Sequence, residues 1–123
     1  MPNMERLIVL DTETTGIRPD EGHRIIEVGA VQILNREITS TEFHKYIQPN
    51  RTVGDSVNIH GITDKFLINK PQFDQISNDL LSFIEGATLV IHNAPFDLGF
   101  LDNELKINGI NKKIEDICQI IDT

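Results

Sequence analysis

The fold is decided by residues 6–16, which read RLIVLDTETTG. The first five residues are mostly apolar, and the run ends in an acid at Asp11. A short apolar run of this kind predicts a buried β-strand with polar side chains at its carboxyl end. Residues 14–16, TTG, predict the break of the strand and the start of a polar loop.

Further strand and helix patterns follow in an order that indicates the fold class. Strands are predicted at residues 25–34, 38–48, 88–92 and 117–122, and helices at 63–67, 71–85 and from 95 to about 109. Residues 50–61 are predicted to form a loop. Three strands joined by tight connections predict an antiparallel meander, and the later helix–strand alternation predicts parallel strands added through crossovers. The expected fold is therefore α/β, a mixed five-stranded sheet with flanking helices.

Length and composition limit the class of protein. The chain has 123 residues, of which 39% are hydrophobic, and this size fits one domain, 1–123. One cysteine, Cys118, excludes a disulfide framework and a cysteine-based zinc site. No apolar run approaches the roughly 18 residues of a membrane-spanning helix, and the first six residues lack the pattern of a signal peptide. We therefore expect a cytoplasmic protein without a membrane partner.

The charge balance argues against one mode of nucleic-acid binding. The chain has 11 Lys and Arg against 19 Asp and Glu, for a net charge of -8. Tight binding to nucleic acid through bulk charge needs many cations to neutralise phosphates, so this mode is not expected. The acids either form a solvated surface or, at a few positions, converge on metal ions.

Two carboxylates are placed to share one site. Asp11 and Glu13 are two residues apart at the end of the first strand, and on an extended backbone such residues point to the same side. Two converging carboxylates repel each other unless a cation lies between them, and oxygen ligands suit Mg²⁺ or Mn²⁺. Acid pairs of this kind are also common on surfaces, but ligands collect at the carboxyl ends of strands in open sheets.

Three other polar residues have two interpretations each. Asp97 falls in the first turn of the predicted helix after residue 95. There it would either be an acid that the helix dipole favours, or add a third carboxylate to the metal site. His60 precedes Gly61 and, from the residues alone, is better interpreted as a turn histidine. Glu27, in an apolar strand, is expected to accept hydrogen bonds from nearby loop amides rather than to act in catalysis.

Four segments, in order, carry a resemblance to a known family. They are residues 11–16 (DTETTG), 26–31 (IEVGAV), 60–63 (HGIT) and 92–97 (HNAPFD). Together they resemble the DEDD superfamily of 3′–5′ exonucleases, in the subgroup with a catalytic histidine. Residues 43–49 (FHKYIQP) and 66–71 (FLINKP) extend the resemblance toward the proofreading exonucleases of bacterial replicative polymerases. The resemblance implies a ribonuclease H-like sheet.

The resemblance also implies roles for particular residues. Asp11, Glu13 and Asp97 match the catalytic carboxylates that bind two divalent metal ions, Mg²⁺ or Mn²⁺. The residues that match contacts to the terminal nucleotide are Thr12, Thr15, Asp55 and His60. The match at Asp55 is looser, because the family often has glutamate there. The implied partners are the 3′ end of single-stranded DNA, the polymerase catalytic subunit and a small accessory subunit.

One family motif has no counterpart. A histidine followed five residues later by an aspartate is expected beyond the fifth strand, and His23, His44, His60 and His92 all precede that place. We therefore expect an N-terminal, C-terminally incomplete portion of the exonuclease domain with little activity by itself. Two alternatives remain, a noncatalytic interaction module of a replication complex and an RNA-trimming exoribonuclease of the same superfamily.

Overall fold

A five-stranded mixed sheet organises the computed structural model, which describes residues 6–123. The strands are β1 (Arg6–Thr14), β2 (Ile25–Leu34), β3 (Glu37–Tyr46), β4 (Thr88–Ile91) and β5 (Gln119–Asp122). Their order is β3-β2-β1-β4-β5. β1, β2 and β3 pair antiparallel, whereas β4 pairs parallel with both β1 and β5. The predicted meander with added parallel strands is confirmed.

Helices connect the strands and cover one face of the sheet. They are α1 (Val57–His60), α2 (Asp64–Leu67), α3 (Phe73–Ile84), α4 (Ala94–Ile107) and α5 (Ile114–Ile117). α3 and α4 are the crossover helices, and their apolar sides form the main core with Ile8 and Leu10 of β1. Leu80 of α3 is buried in this core. A smaller cluster around Ile26 packs the segment that contains α1 and α2 against the sheet.

The opposite face of the sheet carries an apolar row. Val9 faces Val31 on β2 and Val90 on β4, and Val90 faces Ile121 on β5. Within the described residues, Val9 and Ile121 stay 43% and 45% exposed. Side chains alternate between the faces along a strand, so this is also the face toward which Asp11 points.

Most element boundaries lie within two residues of the predictions, but three regions differ in kind or extent. β1 continues through Thr14, because its last residues still pair with β2 across a register shift. Residues 50–61 are not a plain loop but contain a 3₁₀ turn, Gly54–Ser56, followed by α1. β5 begins at Gln119, because residues 114–117 form the turn α5. These turns are too short for a hydrophobic period to be seen in the sequence.

None of the helices between residues 6 and 123 is long and apolar enough to cross a membrane. Residues 1–5, which entered the expectation about a signal peptide, lie outside the described part of the chain.

Candidate active site

The end of β1 presents Asp11 and Glu13 on the same side of the strand. Thr12 between them is buried toward α4, whereas Asp11 is exposed and Glu13 is half-buried. The Asp11 carboxylate accepts a hydrogen bond from the Thr12 amide at 3.0 Å. The same-side placement predicted from the spacing of the two acids is therefore present in the structure.

The third predicted carboxylate, Asp97, reaches the site from the first turn of α4. Asn93 ends the loop after β4 with a φ of 57°, a left-handed conformation that asparagine tolerates, and this turns the chain into the helix. The Ala94 amide at the helix start donates to Asp122 Oδ1 at 2.9 Å. The end of β5 thereby fixes the first turn of the helix, and with it the position of Asp97.

Burial and charge repulsion raise the pKa values of two carboxyl groups at this site, those of Asp97 and Glu13. The pKa of Asp97 rises from 3.8 to about 6, first because the carboxyl group is buried and second because Asp11 lies nearby. Hydrogen bonding from Thr12 offsets part of this rise. Burial and Asp11 also raise the pKa of Glu13, against an opposing effect of His60. The three predicted carboxylates therefore act on one another electrostatically.

Two buried polar atoms at this site lack a well-aligned hydrogen bond. Thr12 Oγ1 and Asp97 Oδ2 are buried and make no hydrogen bond of standard geometry within the described residues. Unpaired buried oxygens are rare, and the binding of an ion at such a place is one recognised explanation. In residues 6–123, however, no three His, Cys, Asp or Glu side chains converge as a complete ligand set. A site with only one or two converging carboxylates suits Mg²⁺, because this ion usually takes its other ligands from water and substrate phosphates.

A cleft of about 510 Å³ adjoins the carboxylates, within the usual range for ligand sites. Glu13 belongs to its wall, and all four predicted nucleotide contacts line it as well, namely Thr12, Thr15, Asp55 and His60. A larger cavity of about 760 Å³ lies against the last turns of α4. That cavity contains none of the predicted site residues, so the smaller cleft is the candidate substrate site.

Two of the predicted contacts sit on the 3₁₀ turn and α1. Asp55 is exposed at the cleft. His60 has both ring nitrogens engaged locally, since Nδ1 accepts from the Ile62 amide at 2.9 Å and Nε2 lies 2.9 Å from Ser56 Oγ. The ring therefore has the hydrogen bonds of a turn histidine, as the residues alone suggested. Its contact with a nucleotide stays a prediction.

The expectation for Glu27 is wrong. Its carboxylate does not accept from loop amides but pairs with His44 Nε2 at 2.5 Å, across β2 and β3. Glu27 lies opposite Glu13 on β1 and opposite Tyr46 on β3, and it raises the pKa of both Glu13 and Tyr46. The strand register, which the sequence does not reveal, brings these side chains together.

A buried ion pair holds the loop between β1 and β2 against α4. Arg24 donates to both carboxylate oxygens of Glu104 at 2.8 and 2.7 Å, and the Ile25 amide adds a third bond at 3.2 Å. Glu104 is 1% exposed. Because α4 also carries Asp97, the pair couples this loop to the carboxylate site.

Two residues with a place at the site were not predicted from the sequence. Asp122 fixes the start of α4, and His23 lines the cleft beside Thr15. The acid at the end of the last predicted strand was a usable signal for Asp122, since such acids lie near the carboxylate edge of the sheet. No signal in the sequence distinguishes His23 from a surface loop histidine.

The mixed sheet, the carboxylates at its edge and the adjoining cleft are matched by a known family. Residues 8–123 match the RNase_T family, described as exonuclease, and this match includes almost the whole chain. The chain therefore belongs to the RNase_T exonuclease family.

Its curated relatives are subunits of a DNA polymerase. The chain is 49% identical over 128 residues to the DNA polymerase III subunit epsilon of Haemophilus influenzae, and the match includes 100% of this chain and 50% of that protein. It is 50% identical over 131 residues to the subunit of the same name from Buchnera aphidicola subsp. Schizaphis graminum, with 100% and 55% of the two chains included. The chain thus spans about half the length of these relatives.

Solved exonuclease structures share the fold. A complex of Exonuclease X with 5′ overhanging duplex DNA has a TM-score of 0.64 at 26% identity, over 77% of this chain and 53% of that one. Exonuclease I of E. coli in complex with an oligonucleotide has a TM-score of 0.81 at 18% identity, over 96% and 28% of the two chains. A zinc-bound form of the latter enzyme matches with a TM-score of 0.82 at 17% identity, over 98% and 28%. The predicted ribonuclease H-like architecture is confirmed by these neighbours.

Proposed function

We propose that this chain is the metal- and nucleotide-binding part of a proofreading 3′–5′ exonuclease, which hydrolyses the last phosphodiester at the 3′ end of single-stranded DNA. The observation that carries the proposal is the buried Asp97 carboxylate. Its Oδ2 makes no hydrogen bond of standard geometry within residues 6–123, and burial and Asp11 raise the pKa of the carboxyl group, beside a cleft of about 510 Å³. A carboxylate in this state favours a bound cation.

Asp11, Glu13 and Asp97 would hold two divalent cations, Mg²⁺ or Mn²⁺. When bound, such ions supply a water nucleophile at neutral pH and stabilise charge on the leaving oxygen. The carboxylates contribute the negative potential that attracts the ions, and the rigid start of α4 keeps Asp97 in place through the bond from Ala94 to Asp122. The ions in turn relieve the repulsion that the carboxylates exert on one another.

The cleft would hold the terminal nucleoside. Glu13 is part of its wall, whereas Asp11 and Asp97 are not, so a phosphate at the carboxylates places the attached nucleoside in the cleft. Thr12, Thr15, Asp55 and His60 would contact that nucleoside. Ile17 and Ile59 also belong to the wall and are largely exposed, so they offer apolar surface to a base without selecting its sequence.

The acidic surface favours delivery of the substrate by a partner. With a net charge of -8, the chain has little general affinity for phosphates, so we infer that a polymerase catalytic subunit brings the DNA end. A small accessory subunit is the second partner we propose. Because the relatives are DNA polymerase subunits, we place the activity in the bacterial cytoplasm.

We infer that residues 1–123 by themselves have little activity. Both ring nitrogens of His60 are engaged locally and Nε2 of His44 pairs with Glu27, so these three nitrogen atoms are not available to accept a proton from the attacking water. Removal of one group from a set that acts together usually costs orders of magnitude in rate. The full-length protein is therefore the form in which to test the activity.

The test is nucleotide release from a 5′-labelled single-stranded DNA by the full-length protein with Mg²⁺ or Mn²⁺. We expect a ladder that shortens from the 3′ end, disappears in Asp11→Ala and persists in Asp79→Ala, a matched change on the exposed side of α3. An unlabelled RNA competitor reveals whether the enzyme is instead an exoribonuclease. Polymerase binding without any ladder would refute hydrolysis and support the noncatalytic module.

A further inference from the structure

The loop after β1 holds a histidine against the cleft. His23 lines the cleft together with Glu13 and Thr15. Its ring packs directly on Gly16, where a Cβ atom would lie only 2.4 Å from the ring carbons. Glycine at this position therefore leaves the space that the ring occupies, and the ring orientation is restricted.

Hydrogen bonding determines which nitrogen of this ring carries the proton. Thr15 is 4% exposed, and its Oγ1 accepts from the Arg24 amide at 3.0 Å. The same Oγ1 lies 2.9 Å from His23 Nδ1. Within residues 6–123, His23 Nδ1 is the hydrogen-bond acceptor that lies in contact with the buried Thr15 hydroxyl. We infer that the hydroxyl donates to Nδ1, because it is buried and has no other acceptor in contact among residues 6–123, and that the ring proton therefore lies on Nε2.

The Nε2 atom of the His23 ring is available to bind a ligand. No residue in the described part of the chain hydrogen-bonds to it, although the other nitrogen is fixed by Thr15. His23 thus brings an N–H donor to the wall of a cleft that three carboxylates line, Glu13, Glu21 and Asp55, against one guanidinium, that of Arg51. A negatively charged phosphate is disfavoured beside these carboxylates, whereas an uncharged acceptor is not.

We propose that His23 is a substrate-positioning residue that donates a hydrogen bond from Nε2 to an uncharged acceptor of the terminal nucleoside. This inference rests on the proposed function, because it takes the cleft as the nucleoside site. The acceptor belongs either to the minor-groove edge of the base, where A and T both present one, or to the sugar. A contact of either kind holds the 3′ residue without demanding a particular sequence. Thr15 would thus line the nucleoside site, with its hydroxyl acting on the nucleotide through His23.

Two substitutions separate the donor from the packing of the ring. His23→Phe keeps an aromatic ring on Gly16 and removes the donor, whereas His23→Gln retains an N–H near the position of Nε2. In the full-length protein we expect His23→Phe to raise KM for single-stranded DNA about tenfold with little change in kcat, as for one lost neutral hydrogen bond. His23→Gln should stay within about threefold of wild type. Equal KM values for wild type and His23→Phe would overturn the proposal.

Thr15→Val supplies a coupling test. Valine keeps the shape of threonine but cannot donate to Nδ1, so KM should rise in the wild-type background and not rise further in His23→Phe. Full additivity of the two substitutions would contradict the proposed chain of contacts. With a DNA whose 3′ residue lacks its base, loss of the His23→Phe effect assigns the acceptor to the base, and its persistence assigns it to the sugar.

Nuclear magnetic resonance tests the contact independently of hydrolysis. The ¹⁵N shifts of the His23 ring should show a protonated Nε2 and an unprotonated Nδ1, and addition of 2′-deoxythymidine 5′-monophosphate should shift Nε2. A proton on Nδ1, or an unchanged ring with the nucleotide bound, would refute the inference. If the nucleotide shifts Nε2 but wild type releases no nucleotides, the proposed hydrolysis fails while the binding contact stands.

Discussion

Asp97→Asn should stabilise the metal-free protein above pH 6 and abolish its stabilisation by divalent cations. The wild-type carboxyl has a pKa of about 6 in the folded state against an ordinary value of 3.8, chiefly because it is buried and close to Asp11. An acid whose pKa is raised on folding stabilises the fold only while it is protonated. Its ionisation therefore destabilises the folded state as pH rises through 6.

The pKa values give the size of this effect. The rise of roughly 2 units in the pKa of Asp97 lowers the free energy of unfolding by about 3 kcal/mol at pH 8. Roughly half of this decrease has already occurred at pH 5. Asparagine has no charge to bury. The free energy of unfolding of Asp97→Asn minus that of wild type should therefore increase by about 1–3 kcal/mol from pH 4.5 to pH 8. The amide of asparagine leaves one buried polar group without a partner, which lowers the absolute gain but not its pH dependence.

Urea unfolding of the full-length protein, followed by circular dichroism at both pH values, measures this difference. Asp79→Asn makes the same chemical change on an exposed helix surface and should show no such trend. Mg²⁺ at ten times its Kd should then stabilise wild type by about 1.4 kcal/mol at pH 8 and leave Asp97→Asn unchanged. A difference between wild type and Asp97→Asn that is the same at both pH values would refute the electrostatic reasoning.

Three further substitutions test other parts of the structure. Glu104→Ala leaves the Arg24 guanidinium without its partner in a largely buried place, and thermal or urea unfolding should show a loss of about 3–5 kcal/mol; a loss below about 1 kcal/mol would mean that the pair is solvated. Gly16→Ala forces the His23 ring to move, so KM for single-stranded DNA should rise while kcat changes less; an unchanged KM would show that the ring position is irrelevant. Leu80→Ala opens a cavity under the sheet and should cost about 2–5 kcal/mol in urea unfolding, with the cleft still able to bind nucleotide.

Much of the fold could be predicted from the sequence because its signals are local. Apolar runs and alternation predicted five strands, and the stripe of apolar residues in 71–85 predicted α3, which the structure has at Phe73–Ile84. The spacing of Asp11 and Glu13 placed both on one side of β1, since side-chain direction on a strand depends only on parity. The order of the elements then sufficed to predict the mixed sheet.

The partnerships at the site were decided by the tertiary structure. Glu27 lies next to Glu13 and His44 through the register of three strands, and Asp122 reaches Ala94 across 28 positions of the chain. Thr15 lines the cleft as predicted, but the sequence does not show that its hydroxyl lies 2.9 Å from His23 Nδ1. A hydrophobic period reports which face of an element is buried, but it carries no information about which polar groups meet across strands and loops. Those pairs form only when the sheet register and the helix packing have fixed the distances. This is why candidate site residues could be proposed from the sequence, whereas the places of His23 and Asp122 and the hydrogen-bond partners at the site could not.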